Sequence, residues 1–342
     1  MSFIALLISV LLSASKDSNA PGVQLYTGNY LSANESASIC KAKYGPWSGV
    51  CLETQHYPDS ILDPSDVKGD FAKGKCCLLT AKKPKYEHTV EYCFEPNHQA
   101  ILENVGSDTD AQKFESRDDM WAAQDLSSWY ALAKDYYEEN CSATIDGVLG
   151  GIGWISDTDL NGSKDFMSQI KLPKSDKKSV ACECGAGIGR VTKGLLLDLC
   201  DRCDLVESNS RLLFAAPEYI GESSYKCRFF SFELQNWDPP KDKYTIVWIQ
   251  WVLCYLTDQD IVSFLRKCGE SLVEGGVIIL KENTCGDQAF VVDVEDASVC
   301  RSLPYWLDLI FKAGLRVTHH TWQRDFPDDI FPVPLLALTP DR

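Results

Sequence analysis

The stretch ACECGAGIGR, residues 181–190, decides how the chain is read. An apolar approach leads into three glycines at every second position, Gly185, Gly187 and Gly189, followed by a cation, Arg190. In alternating β/α chains, ligands settle beyond the carboxyl ends of the strands, at the turn that enters the first helix. A dinucleotide loop would carry G-x-G-x-x-G, its last glycine letting helix and strand pack closely. Here the spacing is G-x-G-x-G with arginine at position 190, and no Gly-Lys-Ser/Thr follows that would cradle a phosphate. The turn instead suits a ligand with a carboxylate and no pyrophosphate. Glycines allow close approach of the backbone, and Arg190 can hold a carboxylate through two parallel hydrogen bonds.

The surrounding pattern supports such a site. From residue 178 the chain alternates: strand 179–184, helix 189–200, strand 204–207, helix 210–219 and strand 227–232. The apolar run YTIVWIQW (244–251) reads as a strand covered on both faces. Thr257 caps a helix over 258–272, and VIILKEN (277–283) is the next strand. A helix is expected over 297–312, with Pro304 kinking or restarting it, and closing strands near 316–322 and 335–338. The fold class is therefore α/β, a doubly wound Rossmann-like sheet. Glu207 ends the second strand about 20 residues after the glycine turn, where an acidic side chain accepts ribose hydroxyls. A carboxylate and a ribose on one ligand point to S-adenosylmethionine. Upstream, helical spacing over 121–139, a glycine-rich turn at 145–153 and a helix at 165–170 precede the sheet.

Composition bounds the rest. The chain has 342 residues and a net charge of −16, a balance that repels nucleic acid and lipid headgroups and attracts cationic partners. No run reaches the roughly 18–20 apolar residues of a membrane span. Residues 3–12 form an apolar run of signal-peptide length but without a preceding Lys or Arg. The ten cysteines from Cys141 onward sit largely in apolar runs, as buried reduced thiols do. That favours the cytoplasm or nucleus, with secretion as the alternative if residues 3–12 act as a signal. The chain divides near residue 120 into an N-terminal extension, 1–120, rich in turn formers, and an α/β domain, 121–342, that carries the S-adenosylmethionine turn. His56, His88 and His98 have no cysteine at ligand spacing, so no metal site is expected.

Several motifs carry a more specific likeness. CGAGIGRVTK (184–193), LQNW (234–237), IVWIQWVLCYLTDQDIVSFLRKC (246–268), ILKEN (279–283), DASVCR (296–301) and FPDDIF (326–331) resemble the α-N-terminal protein methyltransferase family, as does IDGVLGG (145–151). The resemblance covers about 129–338. It implies methyl transfer from S-adenosylmethionine to the free α-amine of proteins beginning X-Pro-Lys or X-Pro-Arg. On the cofactor side it implies that Gly185 and Arg190 hold the methionine end, that Glu207 takes the ribose where the family has Asp, that Leu234 and Gln235 flank the adenine, and that Gln250 lies near the methionine moiety. On the substrate side it implies Leu149, Ile155 and Ile330 around the proline, Trp251 and Asn283 along the channel, and Asp293, Asp296 and Ser298 receiving the amine and the third-position cation.

The chemistry needs a base, because an α-amine of pKa about 7.7–8.0 is mostly charged at pH 7. Asp296 is the candidate, provided burial beside Asp293 raises its pKa from the ordinary value near 3.9. Tyr255 stands where the family has histidine, and Tyr137 where it has a substrate-contacting tryptophan. A tyrosine of pKa about 10 stays protonated, so a rate that rises with pH more than in the family is expected. Two alternatives stay open: a different acceptor, or the fold retained for binding without turnover.

Overall fold

The computed structural model describes residues 105–174, 177–285, 289–327 and 330–341. The apolar run at 3–12, the first five cysteines and His56, His88 and His98 lie outside these residues. Among those described, no helix is long and apolar enough to cross a membrane.

The body is built on two sheets. The strands, in chain order, are β1 (Gly106–Asp108), β2 (Lys113–Phe114), β3 (Val180–Cys184), β4 (Arg202–Glu207), β5 (Cys227–Ser231), β6 (Tyr244–Gln250), β7 (Leu272–Lys281), β8 (Thr284–Cys285), β9 (Phe290–Asp293), β10 (Ser298–Ser302), β11 (Leu315–Trp322) and β12 (Pro334–Pro340). The main sheet runs β5-β4-β3-β6-β7-β12-β11. The first five strands of that order are mutually parallel, and β12 lies antiparallel to both of its neighbours. This is the expected doubly wound sheet. The strand order reverses between β3 and β6, which opens a crevice at their carboxyl ends.

The period-two pattern of the strands assigns the two faces. Ala181, Ile246, Trp248 and Ile279 bury against the helices Ser156–Ser168 and Ser210–Ile220. Cys182, Cys184, Val247, Ile249 and Ile278 bury against Asp258–Ser271 and Leu303–Lys312. Every residue of β6 is buried, as the continuous apolar run requires. Thr257 caps the helix after it, its side chain accepting from the Asp260 N–H.

The second sheet, β2-β1-β9-β10-β8, corrects the expectation of a helix over 297–312. Ala297 turns with φ +52°, and Ser298–Ser302 pairs antiparallel with β9. The helix starts only at Leu303, capped by Ser302 with Pro304 in its first turn. All five residues of β10 are buried, including Arg301, whose guanidinium reaches Asp258 and the carbonyls of Leu256 and Val299. Pairing across the chain overrides local helical spacing here. The helix expected over 121–139 is two, Arg117–Ala123 and Trp129–Asn140, separated by a turn in which Asp125 accepts from the Ser127 N–H. The helix expected at 165–170 begins earlier, at Ser156.

The β1–β2 hairpin joins this second sheet before residue 120. β1 pairs in parallel with β9, and Gly106 lies so close that a Cβ there would sit 2.4 Å from the Phe290 ring. Arg117 then fastens the segment to Asp308 at 2.6 Å. A chain starting at residue 105 should therefore melt at a higher temperature by circular dichroism than one starting at residue 121. Equal melting temperatures would mean that this hairpin contributes nothing to the body.

Candidate active site

The glycine turn follows β3 and is shaped by backbone. The N–H groups of Gly185 and Ala186 donate to the Val206 carbonyl at 2.9 and 3.0 Å, which seats the turn on β4. Gly185 has φ +69°, and a Cβ there would lie 2.6 Å from Val252. Gly189 plays a different part from the one expected. It does not line the cavity above the turn; a Cβ on it would strike Leu205 and Ile220 at 2.9 Å, so it lets the helix pack on the sheet. That helix, over 190–199, contains a wide π turn, Thr192–Leu196, of the kind that often marks a functional segment.

The cavity at the switch point opens to solvent and holds about 1240 Å³ of space, its open mouth included. Gly185, Gly187, Arg190, Glu207, Leu234, Gln235 and Gln250, all expected at the cofactor, line it. Glu207 accepts from the N–H groups of Gly187 and Asn209, both at 2.8 Å. Burial raises its pKa, and these backbone donors oppose the rise. Leu234 and Gln235 stand on a tight turn, Leu234–Asn236, and Gln250 ends β6.

Arg190 is buried under the cavity and is not free of the protein. Its Nη1 lies 2.8 Å from Asp159 Oδ2. Asp159 also takes Lys281 Nζ at 2.5 Å and Gln250 Nε2 at 2.9 Å. Asp159 and Lys281 are residues that pattern reading missed. The only signal for Lys281 is a charge that closes an apolar strand, and Asp159 fell before the expected helix. Glu183, an acidic residue inside the β3 run, is a third. Buried beside the cavity, it accepts from the Thr192 N–H at 2.8 Å, and burial pushes its pKa up to about 7.

The residues expected on the substrate side gather beyond Trp251. Leu149, Ile155 and Ile330 share one apolar cluster with Phe326, Val333 and Trp251. Trp251 turns with φ +52°, a strained conformation for a bulky residue. Its indole Nε1 donates to Asn283 Oδ1 at 3.1 Å. Glu282 holds the same turn by accepting the N–H groups of Val252 and Leu253, each at 2.8 Å. The β9–β10 turn presents Asp293, Asp296 and Ser298, all buried. Asp296 Oδ1 and Ser298 Oγ have no hydrogen-bond partner. Burial, then the nearby Asp293, push the Asp296 pKa up to about 7. Tyr255 Oη lies 3.5 Å from Asp296 Oδ2 and 2.7 Å from Tyr137 Oη, the two rings meeting edge to face. Burial raises the Tyr255 pKa well above its ordinary value.

Comparison with known proteins places this geometry. The family described as AdoMet dependent proline di-methyltransferase matches residues 125–339. The chain belongs to that family. Its members here include an N-terminal Xaa-Pro-Lys N-methyltransferase 1-B of Xenopus laevis, 40% identical over 213 residues, covering 61% of this chain and 95% of that protein. The human N-terminal Xaa-Pro-Lys N-methyltransferase 1 is 39% identical, covering 63% of this chain and 97% of the other. Among solved structures, a SAM-dependent methyltransferase of Leishmania major superposes with a TM-score of 0.64 at 35% identity, covering 70% of this chain and 97% of that one. The protein is thus an enzyme that uses S-adenosylmethionine as methyl donor.

The residues present fit that donor. A buried guanidinium and a fully buried lysine lie under one part of the cavity, and a carboxylate held by backbone donors lies at another. Gly185→Ala tests the turn itself. It should cost about 1–2 kcal/mol in urea unfolding, from a left-handed backbone carrying a Cβ pressed on Val252.

Proposed function

We propose that this methyltransferase acts on the free α-amino group of proteins beginning X-Pro-Lys or X-Pro-Arg, with Asp296 as the base. The observation that carries the reading is the buried Asp296 carboxyl beside a second buried carboxylate, Asp293, with the Ser298 hydroxyl leaning on Asp296 but Asp296 Oδ1 and Ser298 Oγ both short of a regular hydrogen bond. Unpartnered buried polar atoms are costly, and an incoming peptide amine would satisfy them. The names of the Xenopus and human relatives point to the same class of acceptor.

Each residue then has a task. Gly185 and Arg190 hold the methionine end of the cofactor, Gly187 leaves room for the backbone approach, Glu207 takes the ribose, and Leu234 and Gln235 bracket the adenine. Gly189 packs the helix behind them. Gln250, fixed by Trp248 Nε1 and by Asp159, lies beside the methionine moiety. Leu149, Ile155 and Ile330 receive the proline, Trp251 shapes the channel, Asn283 offers its amide to the peptide backbone, and Asp293 meets the cation at the third position.

S-adenosylmethionine supplies an electrophilic methyl group; the protein aligns the amine and takes its proton. Alignment alone can contribute on the order of 7–11 kcal/mol. For the proton, an Asp near 3.9 would be about four units too acidic for an amine of pKa about 7.7–8.0. At about 7, Asp296 lies within about one unit of that amine, which reduces the uphill transfer to on the order of 1–2 kcal/mol. Tyr255 stays protonated and donates; it takes no proton. The ten described cysteines form no disulfide with one another, which suits the cytoplasm or nucleus.

The deciding assay measures labelled methyl incorporation into X-Pro-Lys peptides with free and with acetylated N-termini. Incorporation only into the free peptide supports the reading. Equal labelling of both, or of neither, rejects it and leaves another acceptor, a possibility that the Tyr137–Tyr255 hydroxyl pair keeps in play.

Asp296→Asn should lower kcat by about 10²- to 10⁴-fold. It should also change stability with a defined sign. The folded pKa of Asp296 lies above the ordinary carboxyl value, so wild type loses stability as pH rises through about 7. The melting temperature of Asp296→Asn relative to wild type should therefore improve between pH 5 and pH 8, while activity stays low. Wild-type kcat/KM should climb from pH 6 to pH 8. Tyr255→His adds a second base, so it should raise kcat and flatten that climb. An unchanged rate and profile would show that position 255 lies outside the proton path.

A further inference from the structure

Lys281 is a buried cation that touches the donor site without lining the cavity. Its Nζ has four acceptors around it: Asp159 Oδ1 at 2.5 Å, the Asp159 carbonyl at 3.1 Å, Ser163 Oγ at 2.9 Å and Gln323 Oε1 at 2.7 Å. None is a cofactor-facing group; Lys281 is absent from the residues that line the cavity, whereas Arg190 and Gln250 are among them. The side chains of Lys281 and Asp159 are fully buried, and that of Arg190 is 6% exposed. Lys281, Asp159 and Arg190 thus share one dry site, two positive and one negative, a sum of +1 for the three, with the buried Glu183 carboxyl, pushed up to about 7 by burial, as the further titratable group beside Arg190.

A buried net charge is costly unless an opposite charge joins it. With Asp159 alone beneath it, Arg190 would form a neutral pair and have little attraction left for a ligand carboxylate. With Lys281 on the other oxygen of Asp159, the pair becomes a triad with one positive charge in excess, and Arg190 is the member that faces the cavity. We propose that Lys281 sets the charge of the cofactor's carboxylate site, neutralising Asp159 so that the Arg190 cation is left for the amino-acid tail of S-adenosylmethionine. Lys281 is a positioning residue in this account, since it acts through Asp159 and Arg190, and the account rests on the reading that Arg190 holds that tail.

The electrostatics of the three groups agree with the geometry. Burial opposes ionisation of Asp159, but Lys281 and Arg190 outweigh it and hold its pKa below the ordinary carboxylate range. Burial, with Arg190 adding to it, lowers the Lys281 pKa to about 8 against the pull of Asp159. Those two are the charged groups that face Lys281. An anion bound at Arg190 would favour the protonated lysine, so cofactor binding should draw a proton onto the protein just above pH 8.

The test is calorimetric, on the full-length chain, with two probes. S-adenosylhomocysteine carries the amino-acid tail; 5′-methylthioadenosine is the same nucleoside thioether without it. Lys281→Met should weaken S-adenosylhomocysteine by about 10- to 100-fold, the range for loss of a charge-assisted contact, and leave 5′-methylthioadenosine within about twofold. Lys281→Met combined with Asp159→Asn restores the net charge of +1 and should regain most of the lost affinity, although it removes one more buried group. A purely structural lysine predicts the reverse: both probes weaken together, and the second substitution makes matters worse.

Titration of the wild type in buffers of different ionisation enthalpy needs no variant. Proton uptake at pH 8.5 that appears with S-adenosylhomocysteine, is absent with 5′-methylthioadenosine and vanishes in Lys281→Met supports the proposal. Proton release on binding S-adenosylhomocysteine that is present in the wild type and lost in Lys281→Met, the mark of a lysine that turns neutral in the complex, overturns it. No peptide enters these measurements, so failure of the acceptor assignment leaves them untouched. If wild type discriminates between the probes and Arg190→Met does not, Arg190 holds the tail, and a null result for Lys281 counts against Lys281 alone.

Discussion

The buried carboxylate of Asp159 ties together four of the elements at the donor end of the main sheet. One carboxylate on the helix Ser156–Ser168 holds Lys281 from the end of β7, Gln250 from the end of β6 and Arg190 from the helix after the glycine turn. These elements are far apart in sequence and meet only because parallel strands carry them to the same end of the sheet. A buried carboxylate this well surrounded resists displacement, since moving any partner would leave a desolvated charge uncompensated. The crevice at the switch point is therefore lined by groups that have little freedom to rearrange.

The other half of the site is organised by the second sheet. The β9–β10 turn carries Asp293, Asp296 and Ser298, and the strand after it carries Arg301, which is clamped to Asp258 and to the Leu256 carbonyl. Leu256 follows Tyr255, so the two segments that meet at Asp296 and Tyr255 are fastened to each other just behind the contact. Trp129 adds to this by donating from its indole Nε1 to the Tyr255 carbonyl at 2.8 Å. The backbone takes a positive φ at Trp251, whose indole reaches Asn283, and at Ala297, between Asp296 and Ser298. Strain of this kind, on the order of 1–3 kcal/mol per residue, persists where the surroundings over-determine a conformation.

Two buried carboxyl groups, Asp159 and Asp296, illustrate how neighbouring charge separates roles. Asp159 stays ionised because two cations outweigh its burial, whereas Asp296 is pushed to about 7 by burial first and by the neighbouring Asp293 carboxyl second. The same residue type thus serves as a fixed charge in one place and as a group able to exchange a proton near neutral pH in the other.

The main sheet was legible in the sequence because its signals are local. An apolar run such as 244–250, a glycine turn after a strand and a threonine at a helix start each state their structure within a few residues. The glycine turn and Glu207 were recognisable for the same reason, since the spacing between them follows from one β/α/β unit. The second sheet was not legible: β1, β2, β8 and β9 are short, and residues 298–302 carry helical spacing until β9 lies beside them. Nor could the sequence show that Gly189 packs against Ile220 while Gly185 faces the cavity, or that Arg190 already leans on Asp159. Local pattern determines which strands and turns form. The depth at which a charge is buried, and which distant charge sits beside it, depend on how the strands are laid side by side, and that was decided only by the tertiary structure.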